Sequence, residues 1–197
     1  MKKYAAVIPA AGLSSRMKQF KPLMPLAGKA MIDHVIDTLE AAGVSRIIIV
    51  AGHNAQLLTE HLSGRGVQIV VNSQYATSQM FDSVKIGLAA LEDDFEGVYI
   101  TPGDVPLFRL ETVLALRECE ADAVRPLCGA KGGHPLYLRM KAARYVQACS
   151  AEGGLKEALR SIPLTDLPVQ DRGSAMDADT PEAFETLKCF LHHEKRD

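Results

Sequence analysis

Short, continuously apolar runs alternate with amphipathic stretches along most of this chain, and that rhythm limits the folds open to it. Tyr4-Ala5-Ala6-Val7-Ile8 reads as a buried strand, apolar throughout and stopped by Pro9. Beyond Gly28, Ile32, Val35, Ile36 and Leu39 recur at helical spacing, and Gly43 is a plausible stop. Further strands are expected at 46–50, 67–71, 97–101 and 122–125. Helices are expected over 56–62 and 83–91 and around Val113 and Leu114. This β-α-β order predicts an α/β protein: an open, mostly parallel sheet with helices on both faces. From Leu127 to Arg139 the rhythm breaks into Gly and Pro, which suggests a small β excursion covering the site. Ligands of open parallel sheets bind outside the carboxyl ends of the strands. The loops after Ile8 and Thr101 are therefore the places to look for chemistry.

Composition narrows the partners. The 197 residues suit one domain, 1–197, with a short polar tail at 192–197. With 22 Lys+Arg against 24 Asp+Glu the net charge is −2, so there is no general basic field for nucleic acid. The 47% hydrophobic and 23% charged fractions argue against disorder. The longest aliphatic run, Ile47 to Ala51, falls far short of the ~20 residues of a membrane span. Pro9 and Gly12 interrupt the apolar N-terminus before an export signal could form. The four cysteines form no Cys-x-x-Cys pair, which argues against a zinc site or a redox dithiol. Scattered thiols fit a reducing compartment, and the expectation is a cytoplasmic monomer or small homo-oligomer.

The loop after the first strand runs Pro9-Ala10-Ala11-Gly12-Leu13-Ser14-Ser15-Arg16-Met17-Lys18-Gln19-Phe20-Lys21. Small residues at 10–12 let backbone N–H groups approach a ligand closely, as phosphate-cradling loops require. Arg16 adds a forked donor and Lys21 a point charge, both suited to phosphate oxygens. The plain alternative is a tight turn with two solvated cations. Neither a Gly-x-Gly-x-x-Gly fingerprint nor a Walker-type loop is present. In the second segment, Thr101-Pro102-Gly103-Asp104-Val105-Pro106, a carboxylate stands at a strand's carboxyl end, beside the phosphate-type loop. Mg²⁺ is usually held by one or two carboxylates plus substrate oxygens, although a lone Asp there is more often a turn former. The third segment is Met176-Asp177-Ala178-Asp179-Thr180-Pro181-Glu182. Asp177 and Asp179 share one face of an extended chain. Thr180 before Pro181 is a helix start, which either Asp179 or Thr180 could cap.

Taken together, Ala10-Ala11-Gly12, Arg16-Met17, Lys21, Gly103-Asp104-Val105-Pro106 and Asp177-Ala178-Asp179-Thr180-Pro181-Glu182 resemble the signature of the MobA-like NTP transferases. This is the molybdenum cofactor cytidylyltransferase and molybdopterin-guanine dinucleotide group of nucleotidyltransferases, whose fold is GT-A-like and Rossmann-related. The resemblance runs from about Ala5 to Leu187 and departs at Lys18, where the family usually has Gly. It implies that Ala10, Ala11, Gly12, Leu13 and Gly103 line the nucleotide, and that Arg16 and Lys21 hold its triphosphate. It also implies that Asp104 binds Mg²⁺, with Asp177, or Asp179 close behind, as a second ligand. Ser83, in a segment similar to the family's base-binding stretch, would face the pyrimidine, or else simply cap its helix. His134 and Pro135 stand where the family has Gly-His-Pro before an acceptor-covering strand, and Lys156 stands in place of an Arg.

The implied function is Mg²⁺-dependent transfer of a nucleoside monophosphate from an NTP, CTP first, to a phosphate acceptor such as the molybdopterin cofactor. Lys21, Arg16 and Asp104 would be the catalytic groups. Within the class, GTP could replace CTP, or a sugar, polyol or choline phosphate could be the acceptor. From a different class, the chain could be a non-catalytic nucleotide-binding module. Retention of Arg16, Lys21, Asp104 and Asp177 together argues against that.

Overall fold

The computed structural model describes residues 2–13, 17, 19–92, 94–150 and 152–194. In chain order the strands are β1 (Tyr4–Ala10), β2 (Pro25–Leu26), β3 (Lys29–Ala30), β4 (Arg46–Ala51), β5 (Gln68–Val71), β6 (Gly97–Ile100), β7 (Ala123–Cys128), β8 (Lys131–Gly132), β9 (Leu136–Arg139) and β10 (Leu164–Pro168). The helices are α1 (Met31–Ala41), α2 (Ala55–His61), α3 (Met80–Ala89), α4 (Leu110–Glu118), α5 (Met140–Ala148), α6 (Gly154–Ala158) and α7 (Pro181–Glu194).

One sheet carries the fold, in the order β10-β7-β9-β6-β1-β4-β5, with β8 hanging on β7. The β6-β1-β4-β5 half is parallel throughout, as is the β10–β7 pair. β9 runs against both its neighbours, β6 and β7. The segment expected as an excursion therefore divides. Only Lys131–Gly132 forms a small hairpin on β7, while Leu136–Arg139 enters the main sheet. Its run Leu136-Tyr137-Leu138 is buried, and burial on both faces is what a central strand needs.

Side-chain alternation sorts the apolar residues to two faces. Ala6, Ile8, Ile47, Ile49 and Tyr99 pack under α1 and α4 against Ile32, Ile36, Leu39, Val113 and Leu116. Ala5, Val7, Ile48, Val50 and Ile100 pack under α3 and α5 against Val84, Leu88, Ala143 and Val146. Gly87 lets α3 press directly onto β1, because a Cβ there would run into the Val7 side chain. A third cluster joins Met17, Met24 and Met31 to Ala178, Phe184 and Leu187. Through it the stretch after β1 is anchored to α7.

Several boundaries differ from expectation: β1 runs through Pro9 to Ala10, β7 continues to Cys128, and others move by a residue. α3 begins at Met80 rather than at 83, and its first turn is closed by Asp82, whose carboxylate accepts from the Gln79 N–H at 2.9 Å. Thr180, not Asp179, caps α7: its Oγ1 accepts from the Ala183 N–H at 3.2 Å. The expected polar tail begins inside α7, which continues to Glu194. Among the described residues no helix is long and apolar enough to cross a membrane.

Candidate active site

A cleft of about 400 Å³ opens at the carboxyl ends of β1, β6 and β7. One wall is the stretch after β1. Ala10 and Ala11 are buried, the Ala11 carbonyl accepts from the His53 N–H at 3.3 Å, and Gly12 turns outward into solvent. Lys21 opens a short 3-10 turn with Pro22 at its second position, and its side chain lines the cleft. The loop after β6 lies alongside: the Gly103 N–H points at the Pro9 carbonyl at 3.5 Å, bringing Asp104 beside the first wall.

The second wall comes from residues 131–134 and 174–179. Gly133 is needed there, because a Cβ would sit 2.5 Å from the Ser174 carbonyl. The His134 N–H donates to that same carbonyl at 2.7 Å. Beneath it lies Asp171, only 2% exposed. Its carboxylate accepts from the Arg109 N–H at 2.8 Å, the Thr112 hydroxyl at 2.7 Å and the Ser174 N–H at 3.2 Å. One buried carboxylate thus ties the segment after β10 to the start of α4. The Ala178 N–H then donates to the Asp104 carbonyl at 3.0 Å, closing the cleft floor.

The charged groups meet where the walls join. Lys21 Nζ lies 3.1 Å from Asp104 Oδ2 and 2.7 Å from Asp179 Oδ1. Burial alone would lower the Lys21 ammonium, but the hydrogen bonds and charges of Asp179 and Asp104 outweigh it and hold it above its ordinary value. Lys21 is therefore charged at neutral pH. Asp177 lies lower on the second wall, 3.9 Å from Lys131 Nζ. Burial pushes the His134 imidazole below its ordinary value, against a backbone bond to Ile100 and the charges of Asp104 and Asp177. Its Nδ1 is buried without a hydrogen-bond partner among the described residues.

The sequence expectations divide accordingly. Ala10, Ala11, Gly12, Lys21, Ser83, Gly103, Asp104, His134, Asp177 and Asp179 all line the cleft. Pro135 is buried at the head of β9, behind the lining. Leu13 is half-exposed and outside the lining, and Lys156 is exposed on α6 away from it. Arg16 lies outside the described residues. Ser83 is no helix cap: it is buried and its Oγ accepts from Asn72 Nδ2 at 3.1 Å. Sequence reasoning missed Lys131 and Ser174 in the lining and Asp171 behind it, whereas Tyr75 and Met80 fall in the segment likened to the base-binding stretch. Asp171 carried no visible signal, since its partners come from α4 and from its own turn.

The carboxylate set suits a hard cation that also draws ligands from a bound molecule. Among the described residues no three His, Cys, Asp or Glu side chains stand close enough to hold a metal by themselves. Oxygen ligands from two or three Asp, completed by substrate oxygens and water, is the pattern Mg²⁺ and Mn²⁺ accept.

A family profile described as "MobA-like NTP transferase domain" matches residues 6–167. The chain belongs to this family. By its description this is a family of NTP transferases. The Bifunctional protein GlmU of Listeria monocytogenes is 34% identical over 119 residues, 59% of this chain and 25% of that protein. The chain thus spans about a quarter of the length of the curated relatives it matches. A nucleotidyl transferase from Methanothermobacter thermautotroptrophicus superposes with TM-score 0.84 at 20% identity, covering 98% of this chain and 100% of the other. Rv0371c of Mycobacterium tuberculosis superposes with TM-score 0.82 at 21% identity, covering 95% and 98%, and has also been solved as a manganese complex. At these identities the structures share the fold, a mostly parallel Rossmann-like sheet with helices on both faces.

Proposed function

We propose that this family member transfers a nucleoside monophosphate from an NTP, preferentially CTP, to a phosphorylated acceptor of the molybdopterin type. An acceptor phosphate oxygen forms a bond to the α-phosphorus, the α–β anhydride bond breaks, and pyrophosphate leaves with the electron pair. The observation that carries this reading is the meeting of Lys21 with Asp104 and Asp179 where the two walls join.

The small residues at 10–12 let backbone N–H groups cradle the phosphates, and Arg16 and Lys21 offset their charge. A divalent cation such as Mg²⁺, held by Asp104 with Asp179 or Asp177, would supply charge neutralisation between phosphate oxygens and the attacking group. Asp104 and Asp179 already converge on one cation, Lys21, which favours Asp179 as the partner ligand. Ser83, held by Asn72, presents a hydroxyl on the base side, and a single hydrogen bond of this kind can decide base choice. His134, neutral near pH 7, stands with Lys131 on the wall assigned to the acceptor. No side-chain nucleophile is needed, because positioning and charge stabilisation supply most of the rate.

Incubation with labelled CTP, GTP, ATP or UTP, Mg²⁺ and a panel of phosphorylated acceptors tests the reading. Pyrophosphate release is expected fastest with CTP. Specificity constants favouring GTP would shift the reading to guanylyl transfer, and nucleotide binding with no turnover on any acceptor would leave a binding module.

A further inference from the structure

We infer that Lys21 is an exchangeable counter-ion of the carboxylate site: it holds Asp104 and Asp179 until a triphosphate draws it off, so that nucleotide and metal bind cooperatively. The inference rests on the proposed function, because it assumes that phosphates and a divalent cation meet in this cleft.

The Lys21 ammonium lies within hydrogen-bonding reach of both carboxylates, 3.1 Å from Asp104 Oδ2 and 2.7 Å from Asp179 Oδ1. A cation touching the same two oxygens needs the space that Nζ fills. Two positive charges there repel each other, and both carboxylates are already partly neutralised. The site also has no third described carboxylate, His or Cys close enough to outbid the lysine. A metal arriving alone thus meets a weak site.

The same side chain can turn elsewhere. Lys21 lines the same cleft as Ala10, Ala11 and Gly12, small residues that suit phosphates. Its side chain is 14% exposed, so the charge sits inside the cleft rather than in bulk water. A flexible stem carrying a point charge can swing from carboxylates to phosphate oxygens without rebuilding the wall. Once it has moved, Asp104 and Asp179 regain their full negative charge, and the phosphates add oxygen ligands. Binding linkage is reciprocal, so metal must tighten nucleotide by the factor with which nucleotide tightens metal.

The test titrates Mn²⁺ into the full chain and follows free ion by electron paramagnetic resonance. The unaltered protein is expected to bind Mn²⁺ weakly alone and much more tightly with CTP. Lys21→Met is expected to bind Mn²⁺ without nucleotide roughly tenfold more tightly than the unaltered chain, the size of an ordinary coupling factor. Equal or weaker binding in Lys21→Met, with CTP-stimulated binding intact in the unaltered chain, would overturn the exchange and leave the proposed function standing. No Mn²⁺ binding by the unaltered chain even with CTP would overturn both. The unaltered protein also reports directly through nuclear magnetic resonance of labelled lysine. The Lys21 ammonium signal is expected to shift on adding CTP without metal and to stay in place with Mg²⁺ alone, and the reverse pattern would sink the inference whatever the variant does.

Discussion

The two walls of the cleft are built by different physics. The first, the described residues from Pro9 to Pro22, leads straight off a buried strand: small residues at 10–12, then a lysine that opens a 3-10 turn. The second is assembled from afar. His134 leans on Ser174, Ser174 on Asp171, and Asp171 on Arg109 and Thr112, partners some sixty residues away in sequence. A wall made by one loop can be written as a motif. A wall made by a polar web cannot, because each member is meaningful only beside a partner that the fold supplies.

The sharpest way to break this comparison is at the seam. Asp104→Ala should lower transfer by roughly 10²- to 10³-fold, the scale for losing a group that stabilises developing charge, with circular dichroism unchanged. Lys21→Ala should also slow transfer strongly and raise the KM for CTP less, because phosphate charge grows toward the transition state. Lys21→Arg should not restore the rate, since a planar fork cannot replace a compact ammonium. Turnover near the original value in Lys21→Ala would remove that residue from the mechanism.

The second wall should yield to Asp171→Asn. The amide turns an acceptor into a donor facing buried donors, at a cost of about 1–3 kcal/mol. Chemical denaturation should show the loss, and kinetics should show a raised KM for the acceptor with the KM for CTP little changed. An equal rise in both KM values would mean that the web supports the whole cleft rather than one side.

Gly87→Ala probes the sheet beneath the first wall. Overpacking α3 against Val7 should cost about 1–3 kcal/mol in urea unfolding and leave base preference unaltered. Stability equal to the original would mean that α3 shifts freely on β1.

The smallest effect concerns pH. The His134 pKa is lowered in the fold from an ordinary 6.5, so below that value the unfolded chain binds a proton that the folded chain refuses. Stability should therefore fall as pH drops from 6.5 toward the lowered value, and be fully retained above 6.5. His134→Gln should flatten that slope while His34, also lowered by burial, keeps its own contribution. Parallel curves for the two proteins between pH 7 and 5 would contradict the assignment.

Legibility followed the same division. The parallel half was readable because each strand is a continuous apolar run and each crossover helix has a stripe at helical spacing, as with Ile32, Val35, Ile36 and Leu39. The helix start at Met80 was hidden because its capping carboxylate, Asp82, lies inside the helix rather than before it. β9 was hidden by length, since Leu136-Tyr137-Leu138 is too short a run to separate from a loop once Gly and Pro surround it. In the candidate site, Lys21, Asp104 and Asp179 were legible as residue types suited to phosphate and cation. That they would touch was not, because 83 and 158 positions separate Lys21 from Asp104 and Asp179.

The direction of β9 has one more consequence. The parallel strands send their outgoing ends to the cleft, whereas β9 sends its incoming end, with Leu136 level with Ile100. The stretch from Gly129 to Pro135 is therefore a bridge moored at both ends in the sheet, to β7 on one side and β9 on the other. Change along that span is limited where β8 pairs with β7 and where Gly133 meets Ser174, but it leaves the residues after β1 untouched. A lineage could recut the second wall, generation by generation, while the stretch after β1 is inherited intact.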